Sequence, residues 1–219
     1  MAVLKTLPSS LLDYLFPRRC VGCAADGEWA CEHCVSRVKV GLECFSGGVA
    51  LFPFEERLVH ELLHAVKYES VHDGAATLVG MAARHYSAGE VRELLNLHGE
   101  AAVLVPVPAS HARVKVRGYN QAALFARELG AWLELPVWLE ALARQNSLSQ
   151  VGRSARERQD ILQGAFTWRE DVEYVRYRTH RWVVVDDTAT TGATLAACCA
   201  ALAPHASQPV TGLVMARAH

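Results

Sequence analysis

The chain has 219 residues, a formal net charge of −1 and an apolar content of 51%. That length suits one ordinary domain with room for a small appendage, and an apolar half supplies a core to bury, which excludes an intrinsically disordered chain. A charge near zero excludes a protein that coats nucleic acid indiscriminately, so any such binding has to come from a local patch.

The N-terminal "MAVLKTLPSSLLDYLFPRRC" is partly apolar, but it carries Asp13 and lacks a small-residue cleavage site. It does not read as a signal peptide. No stretch approaches the roughly 18 uninterrupted apolar residues of a membrane-spanning helix. A cytoplasmic protein without a membrane span is expected. Cys20, Cys23, Cys31 and Cys34 follow in "CVGCAADGEWACEHC". In a reducing compartment two C-x-x-C pairs read as metal ligands rather than disulfides, and four thiolates close a tetrahedral shell around Zn²⁺. The site is expected to be structural. His33, inside the second pair, reads as a solvated side chain, and Cys44 in "ECFSGG" stands alone. This Cys- and Gly-dense segment is expected to span residues 1–52, with the main domain at 53–219.

"FEERLVHELLHAVKYES" predicts an amphipathic helix, with Leu58, Val59, Leu62 and Val66 on one face and His60, His64 and Lys67 on the other. The His pair lacks the H-E-x-x-H form and a third ligand, so it reads as a polar face. A second helix is expected through "ATLVGMAARHYS". From there the pattern alternates. "AAVLVPVP" (101–108) is a buried strand, and "GYNQAALFARELGAWL" is a helix burying Ala122, Phe125, Ala126, Leu129 and Leu133. "ARQNSLSQVGRSARERQD" has no usable periodicity. "WVVVDD" is a buried strand, "GATLAACCAALA" a helix with Leu195, Cys198, Cys199 and Leu202 in its buried stripe, and "PVTGLVMARA" a last strand. Strands alternating with helices predict an α/β protein with a parallel sheet flanked by helices. Ligands of such sheets bind beyond the C-terminal strand ends, where "PVPAS" and "DDTATTG" both fall.

"VVVDDTATTGATL" is the most informative stretch. A loop leaving a buried strand for a helix presents backbone N–H groups at the positive end of the helix dipole. Its small residues let one phosphate approach, and Thr190, Thr191 and Thr194 add hydroxyl donors. It has neither the G-K-[ST] of a Walker A loop nor the G-x-G-x-x-G of dinucleotide binders. Asp186 and Asp187 would repel a polyphosphate but suit vicinal hydroxyls. Phosphate on one side and a diol on the other describe a ribose 5-phosphate. The plainer alternative is a strand–turn–helix whose Asp and Thr residues cap the helix.

That stretch closely resembles the phosphoribosyl pyrophosphate (PRPP) signature of type I phosphoribosyltransferases. "VPVPASHARVKVRGYNQAALFARELG" resembles the P-V-P…R-G-[FY]-N-Q segment of ComF-type competence proteins, a branch of that family. "LHAVKYES" resembles their L-K-Y segment, "QNSLSQVGRSARERQDILQGAF" their Q…L-S…R…G-A-F segment, and the Cys pairs their zinc-binding part. Two positions depart: only Cys44 remains of a further C-x-x-C, and Ile161 stands where the family commonly has Asn.

The resemblance implies a type I phosphoribosyltransferase-like fold behind a small four-Cys zinc segment. It implies that Asp186 and Asp187 hold the ribose hydroxyls and that Thr188, Ala189, Thr190, Thr191, Gly192, Ala193 and Thr194 cradle the 5-phosphate. Pro108 and Ala109 would belong to a pyrophosphate loop, with Arg113, Lys115 or Arg117 near the departing charge and Lys67 also at the ligand. Arg158 joins the two acids as an expected catalytic residue, on a lid spanning 144–158. Mg²⁺ would enter with PRPP, held mainly by substrate oxygens and water. The expected reaction is displacement of pyrophosphate at ribose C1, in a protein tied to DNA uptake during natural transformation. The alternative is a non-catalytic accessory protein that binds PRPP and single-stranded DNA for import. "EYVRYRTHRW", where Arg176, Arg178 and Arg181 alternate with Tyr174, Tyr177 and Trp182, suits either a stacking platform for a single strand or an exposed β-strand.

Overall fold

The sheet grows from strands that are apolar on both sides of the pleat. In the computed structural model, which describes residues 18–68, 73–145, 164–170 and 172–218, β3 (Ala102–Pro106) is buried throughout. β6 (Arg181–Ala189) is buried from Trp182 to Val185, and β7 (Thr211–Arg217) from Gly212 to Ala216. Strands covered on both faces read as continuous apolar runs, which is why all three are legible in the sequence. With β1 (Glu43–Phe45) and β2 (Gly48–Pro53) they form a five-stranded sheet in the order β1-β2-β7-β6-β3. β2, β7, β6 and β3 run parallel, and β1 closes the edge as an antiparallel hairpin with β2. β2 crosses the boundary expected at residue 52, since its backbone pairs with β7.

The helices are α1 (Glu32–Val35), α2 (Arg57–Tyr68), α3 (Asp73–His85), α4 (Ala88–Leu94), α5 (His111–Arg117), α6 (Gln121–Leu133), α7 (Tyr174–Tyr177) and α8 (Ala193–Leu202). Pleating divides the core into two layers. Leu51, Leu104, Val183, Val185, Leu213 and Met215 face one way and pack with α2, α3, α4 and α6. Ala50, Val103, Val105, Val184 and Val214 face the other way and pack with Leu195, Cys198 and Leu202 of α8. The mixed α/β architecture with a mostly parallel central sheet is therefore as expected. The helix read from Gly118 onward begins only at Gln121, because Gly118, at φ 84°, ends α5 in a left-handed cap and the Asn120 side chain accepts from Ala122 N to start α6.

The "EYVRYRTHRW" stretch is neither an exposed strand nor an open stacking platform. Residues 174–177 form a helical turn, Tyr177 is buried, and Trp182 is fully enclosed. The Trp182 ring lies parallel to Trp168, with centroids 5.3 Å apart, and edge-on to Trp138 at 5.5 Å, while its indole N–H donates to Tyr177 O at 2.8 Å. Arg181 pairs with Glu100 at 2.7 Å and Arg176 with Glu173 at 3.7 Å. Trp168 comes from β5 (Phe166–Trp168), which pairs antiparallel with β4 (Leu142–Arg144) in a small separate sheet. The Tyr177 and Trp182 rings are enclosed by partners that include Trp138 and Trp168, distant in the chain.

A close backbone approach holds the N-terminal hairpin to the sheet. Gly48 stands opposite Gly212 in the β2–β7 register, and a Cβ on Gly48 would lie 2.4 Å from Gly212 O. Neither backbone can yield without opening the ladder. Gly48→Ala is expected to destabilise the protein by about 1–3 kcal/mol, the cost of overpacking a close-packed interior, as measured by urea unfolding. Unchanged stability would mean that β2 and β7 are free to separate.

Candidate ligand cavity and cysteine cluster

β3 and β6 are neighbours, yet the helices that follow them leave to opposite sides. After β3 the chain passes through the short α5 into α6, which buries Phe125, Ala126, Leu129 and Leu133 in the first core layer; after β6 it enters α8, which packs on the other. A crevice opens at such a switch point, beyond the C-terminal strand ends. Here it is a cavity of about 300 Å³.

Of the residues expected at the ligand, Lys67, Pro108, Ala109, Arg117, Asp186, Asp187, Thr188 and Thr194 line this cavity. A second cavity of about 270 Å³ adjoins it and is lined by Asp186, Thr188, Ala189, Thr190, Thr191, Gly192, Ala193 and Thr194. Asp186, Thr188 and Thr194 border both. Residues 146–163, which include Arg158 and most of the expected lid, lie outside the described residues.

Strand alternation governs the two acids. β6 does not stop at Asp187 but continues to Ala189, because β7 runs beside it as far as Arg217. The pleat therefore sends the two side chains toward opposite faces. Asp187 points toward α2: its carboxylate lies 3.1 Å from Lys67 Nζ and accepts from Thr188 Oγ1 at 3.0 Å, while Lys67 also donates to that hydroxyl at 3.3 Å. Asp186 points toward α8 and accepts from Asp187 N at 2.9 Å. Burial, reinforced by the Asp187 charge, pushes the Asp186 carboxyl up to about 8.

The loop behind the acids turns at Gly192, φ 74°, where an added Cβ would meet the Phe45 ring at 3.5 Å. Gly192 itself has no side chain to cap α8, but the Thr191 hydroxyl accepts from Ala193 N at 3.3 Å. Neither aspartate caps this helix, so the capping alternative does not describe them. Its N-terminal donors face the second cavity, an arrangement suited to one anionic group.

The opposite wall comes from α5 and the start of α6. Arg113 and Arg117, one helical turn apart, line the cavity, whereas Lys115 is exposed and does not. Arg117 bonds Gln121 Oε1 and lies 5.1 Å over the Tyr68 ring. Tyr119 OH donates to Val66 O, tying this wall to α2, and Asn120 Nδ2 donates to Val107 O at 3.0 Å, fixing the 106–110 loop. Sequence reasoning missed Tyr68, Asn120 and Gln121, which line the cavity, and took Arg144, which also lines it, for the first residue of a mobile lid rather than the end of a paired strand. Arg144 ends β4, directly across the ladder from Phe166, and burial together with the nearby Arg113 charge lowers its pKa from the ordinary value. Nothing local announces it, because it opens the run without periodicity.

The four cysteines gather as expected: the Sγ atoms of Cys20, Cys23, Cys31 and Cys34 all lie within 4.8 Å of one another, and Cys23 and Cys31 are 3.5 Å apart. A tetrahedron with Zn–S near 2.3 Å has an edge of about 3.8 Å, so the cluster fits one zinc ion. The first knuckle closes through Ala24 N→Cys20 O at 2.7 Å and Cys20 N→Ala25 O at 2.8 Å. Gly22 is required beside it, since a Cβ there would meet Cys34 Sγ at 2.9 Å and Leu58 of α2 at 3.1 Å. His33 and Cys44 stand outside the cluster, Cys44 opposite Val49 in the hairpin. His60 packs edge-on against Phe54 at 5.0 Å and His64 beside Tyr68 at 4.7 Å, rather than forming a metal pair. No described helix is long and apolar enough to cross a membrane.

No family model matches the chain. It is similar to competence protein F of Haemophilus influenzae, 39% identical over 93 residues, which is 42% of this chain and 40% of that protein. The similarity thus spans less than half of the relative's length.

Two outcomes are expected. Protein purified without chelator should carry about one zinc per chain, the stoichiometry of a single four-thiolate site; metal analysis of fully reduced protein that finds none would remove the assignment. The second concerns Asp186. In the unfolded chain its pKa is near 4, while in the fold it keeps its proton up to about 8. Between those values the folded state holds a proton that the unfolded state has lost. Its contribution to stability is full at low pH and is lost as pH rises through about 8. Ligand-free protein should therefore lose stability from pH 5 to pH 9 relative to Asp186→Asn, by no more than about 1.4 kcal/mol per pH unit. Parallel urea-stability curves for the two proteins would assign Asp186 an ordinary acidity.

Proposed function

We propose that the protein binds PRPP in the paired cavities at the ends of β3 and β6, as a phosphoribosyltransferase-type protein that serves DNA uptake in natural transformation. The single observation that carries the PRPP reading is the joining of two unlike cavities across Asp186, Thr188 and Thr194. One is a small hydroxyl-rich pocket at a helix N-terminus. The other holds two carboxylates among the side chains of Lys67, Arg113, Arg117 and Arg144. The first suits one terminal phosphate, and the second suits a diol beside a multiply charged group. The similarity to competence protein F supports the role in DNA uptake.

In this reading the 5-phosphate sits at residues 188–194 and the ribose hydroxyls meet Asp186 and Asp187. The hydroxyls displace part of the Lys67–Asp187 contact, freeing the ammonium to turn toward the diphosphate. During transfer the C1–O bond to pyrophosphate breaks, its electron pair leaves with the pyrophosphate, and the acceptor's lone pair forms the new bond at C1. The acceptor's proton goes to the surrounding solvent or base. Mg²⁺ bound with the diphosphate would neutralise part of its charge. The four-cysteine zinc is structural, bracing the start of α2, the helix that carries Lys67.

Replacing Asp186 and Asp187 together by Ala should weaken PRPP binding at least about tenfold, since the charge-assisted hydrogen bond of Asp187 alone is worth roughly 1.5–3 kcal/mol and Asp186, protonated below about 8, adds a neutral one. The fold should survive, because neither acid caps a helix. Titration calorimetry with PRPP and Mg²⁺, with a melting curve on the same sample, separates the two effects. A folded double mutant with undiminished affinity would end the ribose assignment. A pyrophosphate-release screen against nucleobases and amines then tells a transferase from a binding protein.

A further inference from the structure

We infer that the cleft between the cysteine knuckle and α3 is the docking site of the chain's own N-terminal segment, residues 1–17, which enters it with Leu12, Leu15 and Phe16. The cleft has a volume of about 220 Å³, with Trp29, Ala30 and Val35 on the knuckle side and Thr77, Gly80 and Met81 on the side of α3. Two of its features have no cause among the described residues. The Trp29 indole N–H is buried there without a hydrogen-bond partner, whereas a buried indole usually finds one. Gly80 lies inside α3, where glycine costs helix stability relative to alanine, yet a Cβ at this exposed position would meet nothing within 4 Å among the described residues. A stretch of chain lying close against the helix accounts for the glycine, and its carbonyls offer acceptors to the indole. A small-molecule ligand fits less well, since such cavities generally start at about 300 Å³.

The occupant follows from where the described chain begins. Arg18 lines the cleft and pairs with Asp73, the first residue of α3, at 3.4 Å. The residues before it are therefore delivered to this place. Phe16 lies within about 8 Å of Arg18, Cα to Cα, through the covalent chain alone. So short a tether gives the segment a high effective concentration at the cleft. In "SSLLDYLFPR", Leu11, Leu12, Leu15 and Phe16 recur at helical spacing, with Asp13 and Tyr14 off the stripe. Left undocked, that stripe would add an apolar patch to the surface. Docking buries it against Trp29 and Met81, and clamps the knuckle to α3 beside the Arg84–Glu32 pair that already joins them. It is independent of what the cavity beyond β3 and β6 binds.

Hydrogen exchange on the full chain tests the docking, together with the NMR resonance of the Trp29 indole N–H, which Trp29→Phe identifies. In wild type the amides of residues 11–16 should exchange at least about tenfold more slowly than in an unfolded chain. Phe16→Ser should return them to unfolded-chain rates and shift the Trp29 indole resonance, while the sheet and α3 stay protected as in wild type. Gly80→Leu, which fills the cleft from the helix side, should release the segment in the same way. Wild type with residues 11–16 unprotected overturns the docking, and so does protection that Phe16→Ser leaves unchanged along with the indole resonance. Phe16→Ser alters no described residue, so the test holds even where Gly80→Leu fails to fold. Light scattering across a concentration series identifies the donor. Protection kept by a monomer supports the chain's own segment, and protection confined to a dimer overturns it in favour of a segment exchanged with a second copy.

Discussion

Everything at the cavity depends on β6 continuing as a hydrogen-bonded strand through its two acids. Val183, Val184 and Val185 are enclosed on both faces, and β7 pairs alongside up to Arg217, so the backbone has no freedom to turn before Ala189. The pleat then decides what each carboxylate meets. Asp187 reaches the ammonium of Lys67 on α2, and Asp186 is left on the α8 face beside Arg144 and Cys198. A one-residue shift in the β6–β7 register would exchange these partners and break both arrangements. The cavity is specified by the sheet.

The same constraint ties remote parts of the chain to one site. Lys67 lies near the end of α2, whose beginning packs through Leu58 against Gly22 and Cys34 of the cysteine cluster. Tyr119, between α5 and α6, bonds the carbonyl of Val66, one residue before Lys67. The cysteine cluster and the 106–121 wall therefore hold α2 from two directions. Such bracing keeps Lys67 in place beside Asp187. Polar contacts at the site are few and specific, whereas the scaffold around them is apolar and close-packed.

What the sequence disclosed follows from whether a residue's role is set by near neighbours. The buried strands and the apolar faces of α2 and α6 announce themselves because burial on two faces or one leaves a period in the chain itself. The cysteine cluster is legible because a knuckle brings its own ligands together. "EYVRYRTHRW" misleads for the opposite reason: whether Trp182 is exposed depends on Trp138 and Trp168, which arrive from other segments. The hairpin of β1 and β2 is hidden by its Gly- and Cys-rich composition, since its pairing is fixed by the Gly48–Gly212 approach rather than by propensity. Lys67 is conspicuous only through family resemblance, and Arg144 only as the start of an aperiodic run, which hides its place in β4.

The distribution of charge explains how a chain of net charge −1 can present a strongly cationic cavity. Several arginines elsewhere on the described surface are matched: Arg181 with Glu100, Arg169 with Glu140, Arg84 with Glu32, Arg217 with Glu43. Those pairs neutralise the exterior, and exposed ones contribute little to stability. Among the described residues, Arg113 and Arg144 line the cavity with no carboxylate within ion-pairing distance. A protein that coats nucleic acid would spread such unpaired cations over a face. Concentrating cations in about 300 Å³ beside two aspartates is the feature on which the proposal of a small ligand, anionic at one end and hydroxylated at the other, rests.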